Sequence, residues 1–210
     1  PIPPSMDYGF KDLKDPNAYN PERSKQLLAE DGWKDTDGDG ILDKDGKPLT
    51  FDFVVYNSRA ELPLYAEAVQ ADLKKVGIDM KIKTVDYNLI DKMGQDGDYD
   101  MLISNIVTAN TGDPIWFLAN YWHTNVDGSN PQNGSGYSNP QVDQLLDAAE
   151  TEFDPAKRRD YAIQIQQLLM NDGAALFLGY PKTNIVTGSY LKGAVMYPSD
   201  YYWITNKITK

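Results

Sequence analysis

The chain has 210 residues, 41% of them apolar and 11% aromatic, with a formal net charge of −11. Such a composition suits a globular rather than a disordered protein, with one sizeable core or two modest ones. The acidic balance, with no extended basic stripe, argues against a nucleic-acid partner.

Cysteine is absent, so disulfides, thiolate catalysis and zinc–sulfur sites are excluded. The single histidine, His123, rules out a histidine cluster, and no apolar run approaches the length of a membrane span. The opening "PIPPSMDYGF" is polar and proline-rich, unlike a signal peptide, and reads as a cut inside a longer protein.

The first helix is announced by "NPERSKQLLAEDGW", where Asn20 caps, Pro21 suits the first turn and Gly32 ends the segment. Next comes "KDTDGDGILDKDGKPLTF". Asp35, Asp37 and Asp39 alternate before Gly40, as in an EF-hand loop, but position twelve counted from Asp35 is Gly46, which has no side chain. The exit is a strand at Thr50–Tyr56, where an EF-hand needs a helix. Asp-Gly pairs are also favoured turn chemistry, because Gly takes positive φ and Asp bonds its own backbone. The stretch therefore reads as a solvated turn without a calcium site of consequence. A calcium-stabilised structural module would rest on this loop alone.

The segment "LTFDFVVYN" alternates, with Leu49, Phe51, Phe53 and Val55 on one face. A helical stripe of Leu62, Ala66, Val69, Leu73 and Val76 follows and closes at Gly77. Ile78, Met80 and Ile82 mark a second strand, a short helix runs around Leu89 to Met93, and "YDMLISNIV" reads as a buried strand. This alternation of strand and helix predicts βαβ units, in a mixed, mainly parallel sheet with flanking helices.

Three more helices follow. "GDPIWFLANYW" starts at Asp113 and Pro114; "NPQVDQLLDAAE" starts at Asn139; "DPAKRRDYAIQIQQLLMNDG" starts at Asp154 and stops at Gly173. In the last, Tyr161, Ile165, Leu168 and Leu169 form the apolar stripe. Two polar stretches, Asp35–Pro48 and Thr124–Pro140, read as long loops.

No P-loop, dinucleotide-binding glycine motif, H-E-x-x-H or G-x-S-x-G is present. An Asp/Glu pair of a hydrolase of unknown type stays open as an alternative, since carboxylates are abundant. His123 reads either as a surface histidine at a helix end, favoured there by the dipole, or as a ligand-binding group in a cleft. Trp116, Tyr121 and Trp122 are either core or an apolar wall.

Taken together and in order, the segments "NPERSKQLLAEDGWKDTDGDGILDKDGKPLTF", "LKKVGIDMKIKTVD", "GDYDMLISN…GDP", "GYSNPQVDQLLDAAE", "RRDYAIQIQQLLMNDGAALFLGY" and "LKGAVMYP" carry a resemblance. The chain resembles the C-terminal lobe of the extracytoplasmic solute-binding proteins of ABC importers for peptides and nickel. The resemblance implies one lobe of a two-lobe, type II periplasmic-binding-protein-like fold. Residues 1–20 would be a lead-in from the preceding part of a longer protein, 21–195 the ligand-binding lobe, and 196–210 a return segment toward the other lobe.

The implied function is capture of a short peptide between the lobes and delivery to ABC permease subunits, with no catalysis and no cofactor or metal. A nickel or nickel-chelate binder is the alternative within the family. The location would be extracytoplasmic, periplasmic or at the cell surface, with membrane association only through a lipid anchor.

The resemblance also implies a ligand site after the strand at Met101–Asn105, and the candidates are Asn105, Thr108, Asn110, Asp113, Trp116, Trp122, His123 and Tyr137. In peptide-binding relatives an aspartate shortly before the acidic-Pro pair holds the peptide's ammonium group. The corresponding place here holds Asn110, and the tryptophan usual in that segment is absent, with Asn105 to Val107 in the region. The lobe alone, lacking one wall of the cleft, is expected to bind more weakly than about millimolar.

Overall fold

The computed structural model describes residues 1–108, 112–182, 184–196 and 205–210. In chain order the elements are α1 (Pro21–Glu30), β1 (Asp43–Lys44), β2 (Lys47–Pro48), β3 (Thr50–Tyr56), α2 (Glu61–Lys74), β4 (Asp79–Val85), α3 (Ile90–Asp96), β5 (Met101–Leu102), α4 (Ile115–Trp122), α5 (Pro140–Thr151) and α6 (Pro155–Asn171). A single 3₁₀ turn, Tyr87–Leu89, precedes α3.

The helix starts follow their punctuation. The side chains of Asn20, Asn139 and Asp154 accept hydrogen bonds from first-turn amides of α1, α5 and α6, each just ahead of a proline. This satisfies donors that the helix itself leaves without partners. The acidic stretch folds as loop and hairpin. β1 and β2 pair antiparallel, and the turn between them is Asp45–Gly46, with φ of 54° and 72°. Positive φ at both central positions is the type I′ arrangement whose twist matches the flanking strands.

Among the described residues, the main sheet has the order β4-β3-β5 and is parallel throughout. The β3–β4 pairing runs the full length, from Thr50 opposite Asp79 to Tyr56 opposite Val85. The β3–β5 pairing is only Phe53 with Met101 and Val54 with Leu102. Two expectations change here. β3 does not alternate: Phe53, Val54, Val55 and Tyr56 are all buried, because a central parallel strand is covered on both faces. The apolar run after Tyr99 also yields a strand of just two residues, since the chain leaves the sheet after Ile103.

Among the described residues, the core has two large parts and one small one. Around the sheet, Phe53–Tyr56, Leu62, Ala66, Met80, Ile90 and Ile103 pack together. Around the helices, Ile2, Leu118, Trp122, Val142, Leu146, Ala162, Ile165 and Leu169 do so. Leu49, Val76 and Ile78 form the small third cluster beneath α1 and the hairpin.

Residues 1–20 lie along α6. Buried Gln166 accepts from the Ile2 amide and donates to the Tyr8 carbonyl, so both ends of its amide are satisfied. The sheet and helical parts also touch at a glycine pair. A Cβ on Gly134 would sit 3.0 Å from the Gly94 Cα, and the Tyr99 hydroxyl donates to the Gly134 carbonyl at 2.5 Å. Glycine at 134 is what lets the two backbones approach.

Candidate functional site at the carboxyl edge of the sheet

The strand order fixes where a ligand has room. From β3 the chain passes through α2 to β4 on one side, then through α3 back across β3 to β5 on the other. Where connections leave neighbouring strands in opposite directions, the loops diverge and open a crevice beyond the carboxyl ends. That switch point lies between β3 and β5.

The side chains there are linked. Tyr56, the last residue of β3, is buried, and its hydroxyl accepts from the Asn105 amide at 3.0 Å. The Asn105 side chain donates to Glu61 Oε1 at 3.0 Å, tying the segment after β5 to the first residue of α2. The Tyr56 ring stands edge-on to Tyr87, with centroids 5.1 Å apart, and Tyr87 is itself exposed just beyond β4. All three strands thus contribute to one edge. Burial, with Asp91 and Tyr87 adding to it, raises the pKa of Tyr121, so α4 shares the field of this edge.

Of the residues expected from the sequence, Asn105 lies at the centre of this group and Thr108 follows it, half-buried. Asn110 lies outside the described residues. Asp113 has both oxygens engaged: Oδ1 accepts from the Ile115 amide, and Oδ2 pairs with Arg158. Arg158 in turn donates to the carbonyls of Ala149 and Glu152, holding the end of α5. Trp116 is exposed on α4.

The other three belong to the helical part. Trp122 is core, edge-on to Tyr137 at 5.8 Å and to Phe177 at 6.4 Å. Tyr137 donates to Asp172 at 2.6 Å, and burial followed by that carboxylate drives its pKa well up. His123 faces α5, with Nε2 3.2 Å from Asp147 and Nδ1 3.6 Å from Asp143. A shallow depression of about 270 Å³ beside it is lined by Ala119, Asn120, Ser129, Asn130 and Glu150.

Tyr56, Glu61 and Tyr87 were not singled out from the sequence. The signal was available: in a predicted parallel sheet, each residue at or just past a strand's end borders the ligand side.

The acidic loop gathers Asp35, Asp37 and Asp39 so that one carboxylate oxygen from each lies within 4.8 Å of the others, all exposed. Those carboxylates accept from the amides of Gly38, Gly40, Asp39 and Ile41. They thus serve as the Asx-type turn acceptors that the sequence suggested.

Residues 1–129 match the family described as bacterial extracellular solute-binding proteins, family 5, in its middle portion. The chain is 32% identical over 196 residues to the oligopeptide-binding protein AppA of Bacillus subtilis, covering 90% of this chain and 34% of that relative. It is 26% identical over 199 residues to the nickel-binding protein NikA of Staphylococcus aureus, covering 94% of this chain and 38% of that one. The structure of AppA from Bacillus subtilis in complex with a nonapeptide superposes with a TM-score of 0.78 at 28% identity, over 99% of this chain and 41% of the other.

The chain therefore spans about a third of the length of the curated relatives it matches. No helix among the described residues is long and apolar enough to cross a membrane. The family match covers more than half the chain, the likeness in fold covers nearly all of it, and the parallel sheet with flanking helices is the one the strand pattern predicted. The chain belongs to the bacterial extracellular solute-binding proteins of family 5.

Proposed function

We propose that this chain is one lobe of a longer extracytoplasmic solute-binding protein and supplies one wall of a cleft that closes on a short peptide for delivery to an ABC permease. The observation that carries the reading is the switch-point edge: Asn105 is pinned by Tyr56 and Glu61 where an open parallel sheet receives ligand. The likeness to AppA over nine-tenths of the chain supports a peptide as that ligand. Residues 1–20 and 196–210 are the connections to the second lobe in this reading. No bond is made or broken; hinge closure around the solute is the mechanism, with main-chain hydrogen bonds giving tolerance of peptide sequence.

A nickel chelate is the second reading, supported by the likeness to NikA. His123 gives it little help, because both ring nitrogens already face carboxylates of α5, Asp143 and Asp147.

The test is native mass spectrometry of the full-length protein purified from cells. Retained masses in the range of short peptides, absent from an Asn105→Ala variant, are the expected result. Retention of nickel with a small organic chelator would replace the peptide reading with the nickel one.

A further inference from the structure

The chain is rich in Asp-Gly pairs, and an Asn-Gly pair, Asn133–Gly134, lies in the loop after α4. Such pairs share an intramolecular reaction. The glycine amide nitrogen, with no side chain crowding it, can attack the side-chain carbonyl carbon of the residue before it. A five-membered succinimide forms, as water leaves an aspartate or ammonia leaves an asparagine. Water then opens the ring at either carbonyl–nitrogen bond, giving an aspartate or a β-linked isoaspartate. For an aspartate one water is released and one taken up, so the net change is an isomerisation.

The attacking nitrogen has to be free, and most of these are not. The amides of Gly32, Gly97 and Gly173 donate to the carbonyls of Ala29, Gly94 and Met170 at the ends of α1, α3 and α6. Those of Gly38 and Gly40 donate to Asp35. Gly134 donates to the Gln132 carbonyl at 2.9 Å. The Asn133 side chain before it is buried, donates to the carbonyls of His123 and Tyr137 and accepts from Ser135. An amide cyclises faster than a carboxylate, so the pair with the greatest intrinsic reactivity is the best held.

Two pairs remain, Asp45–Gly46 and Asp127–Gly128. Among the described residues neither glycine amide donates a hydrogen bond, and neither aspartate side chain has a partner. Both aspartates are exposed and have positive φ, 54° and 52°, which costs any residue with a Cβ some stability. They differ in what ring closure disturbs, since it turns the peptide plane between aspartate and glycine. At Asp45 that plane is the tip of the β1–β2 hairpin, with Lys44 opposite Lys47 and Asp43 bridged to Lys34. At Asp127 it belongs to a lone turn in a loop, closed by the Ser129 amide on the Val126 carbonyl at 2.9 Å.

We propose that Asp127 is a site of spontaneous isomerisation in the folded chain, with Asp45 a slower second, and that the fold shields the other pairs. A β-linkage at 127 adds a main-chain carbon to the turn that carries Ser129 and Asn130 to the depression beside His123.

The test incubates the chain for weeks at neutral pH in water enriched in heavy oxygen, both folded and in urea, and maps its peptides by mass spectrometry. Passage through the succinimide leaves a heavy oxygen on each converted residue, and electron-transfer fragmentation distinguishes the β-linked form. In the folded chain Asp127 should convert about tenfold faster than the hydrogen-bonded pairs, the factor that one hydrogen bond can supply. In urea the aspartates should converge in rate and Asn133 should lead. Asp127→Glu, whose ring would be six-membered, should remove the signal at 127 and leave that at Asp45 unchanged. If Asn133 leads in the folded chain, or Asp127 converts no faster than the bonded pairs, the proposal is overturned.

Discussion

The two large parts of this lobe use their polar side chains differently. In the helical part, built by α4, α5 and α6, most of them answer each other, with the buried indole Nε1 of Trp122 left without a partner among the described residues. Arg158 holds Asp113 and two carbonyls, Asp143 takes both the amide and hydroxyl of Thr124, and Asn133 bridges the carbonyls of His123 and Tyr137. In the sheet part, the chain Tyr56–Asn105–Glu61 ends on a carboxylate oxygen with no partner among the described residues. A fully satisfied network specifies a unique fold. A network with one end open at a strand terminus has bonding capacity left for a ligand. On the proposed reading, the helical part serves mainly stability and the sheet edge recognition.

The strongest test of that division is Leu146→Ala in α5, at a position with no exposed surface. It should lower the stability of the chain by about 3 kcal/mol, read as a shift in the urea midpoint at unchanged slope. A loss below about 1 kcal/mol would mean that the helical part relaxes around the cavity and is not the rigid half.

A smaller effect, of about 2 kcal/mol, is expected for Asp113→Ala, which removes a helix cap and leaves Arg158 unpaired. The arginine side chain is only 20% exposed, so water replaces the lost partner incompletely. If stability stays level and ligand affinity in the full-length protein falls, Asp113 belongs to recognition and the boundary between the parts moves.

The smallest effect concerns His123. Burial opposes its charge, but the Thr124 carbonyl, Asp147 and Asp143 outweigh that and lift its pKa above 6.5. A pKa raised by folding adds stability that is complete below the unfolded value and is lost as pH rises through the folded one. The side chain is 35% exposed, so solvent screening holds the contribution to a few tenths of a kcal/mol. Relative to His123→Gln, the unaltered chain should lose a few tenths of a kcal/mol more stability between about pH 5.5 and about pH 8.5, read as a difference in urea midpoints; groups common to both, such as the buried Pro1 amine, cancel in that comparison.

The helical part was the more legible in sequence, because its signals are local. Asn139 and Asp154 cap where they stand beside prolines, and Ile165 and Leu169 fall on the stripe that the spacing predicts. The sheet part depends on partners distant in the chain. Alternation at Phe51, Phe53 and Val55 suggested one covered face, but placement between β4 and β5 covers both.

The site is less legible still. Asn105 meets Tyr56 and Glu61 across separations of 49 and 44 residues, and only the strand order brings them together. Trp122 and Tyr137 drew notice as aromatic candidates, yet aromatic identity does not distinguish a ring packed in a core from one lining a cleft.

The brevity of β5 bears on motion. Two residues pair it to β3, whereas seven register pairs lock β4 to the other side. Opening free energies across a native protein track such local bonding, so β5 is expected to exchange its amide hydrogens well before β4 does. The segment carrying Asn105 therefore hangs from the loosest strand of the sheet, while Glu61 is fixed at the head of a fourteen-residue helix. On the proposed reading, an arriving solute would meet one stationary jaw and one that yields.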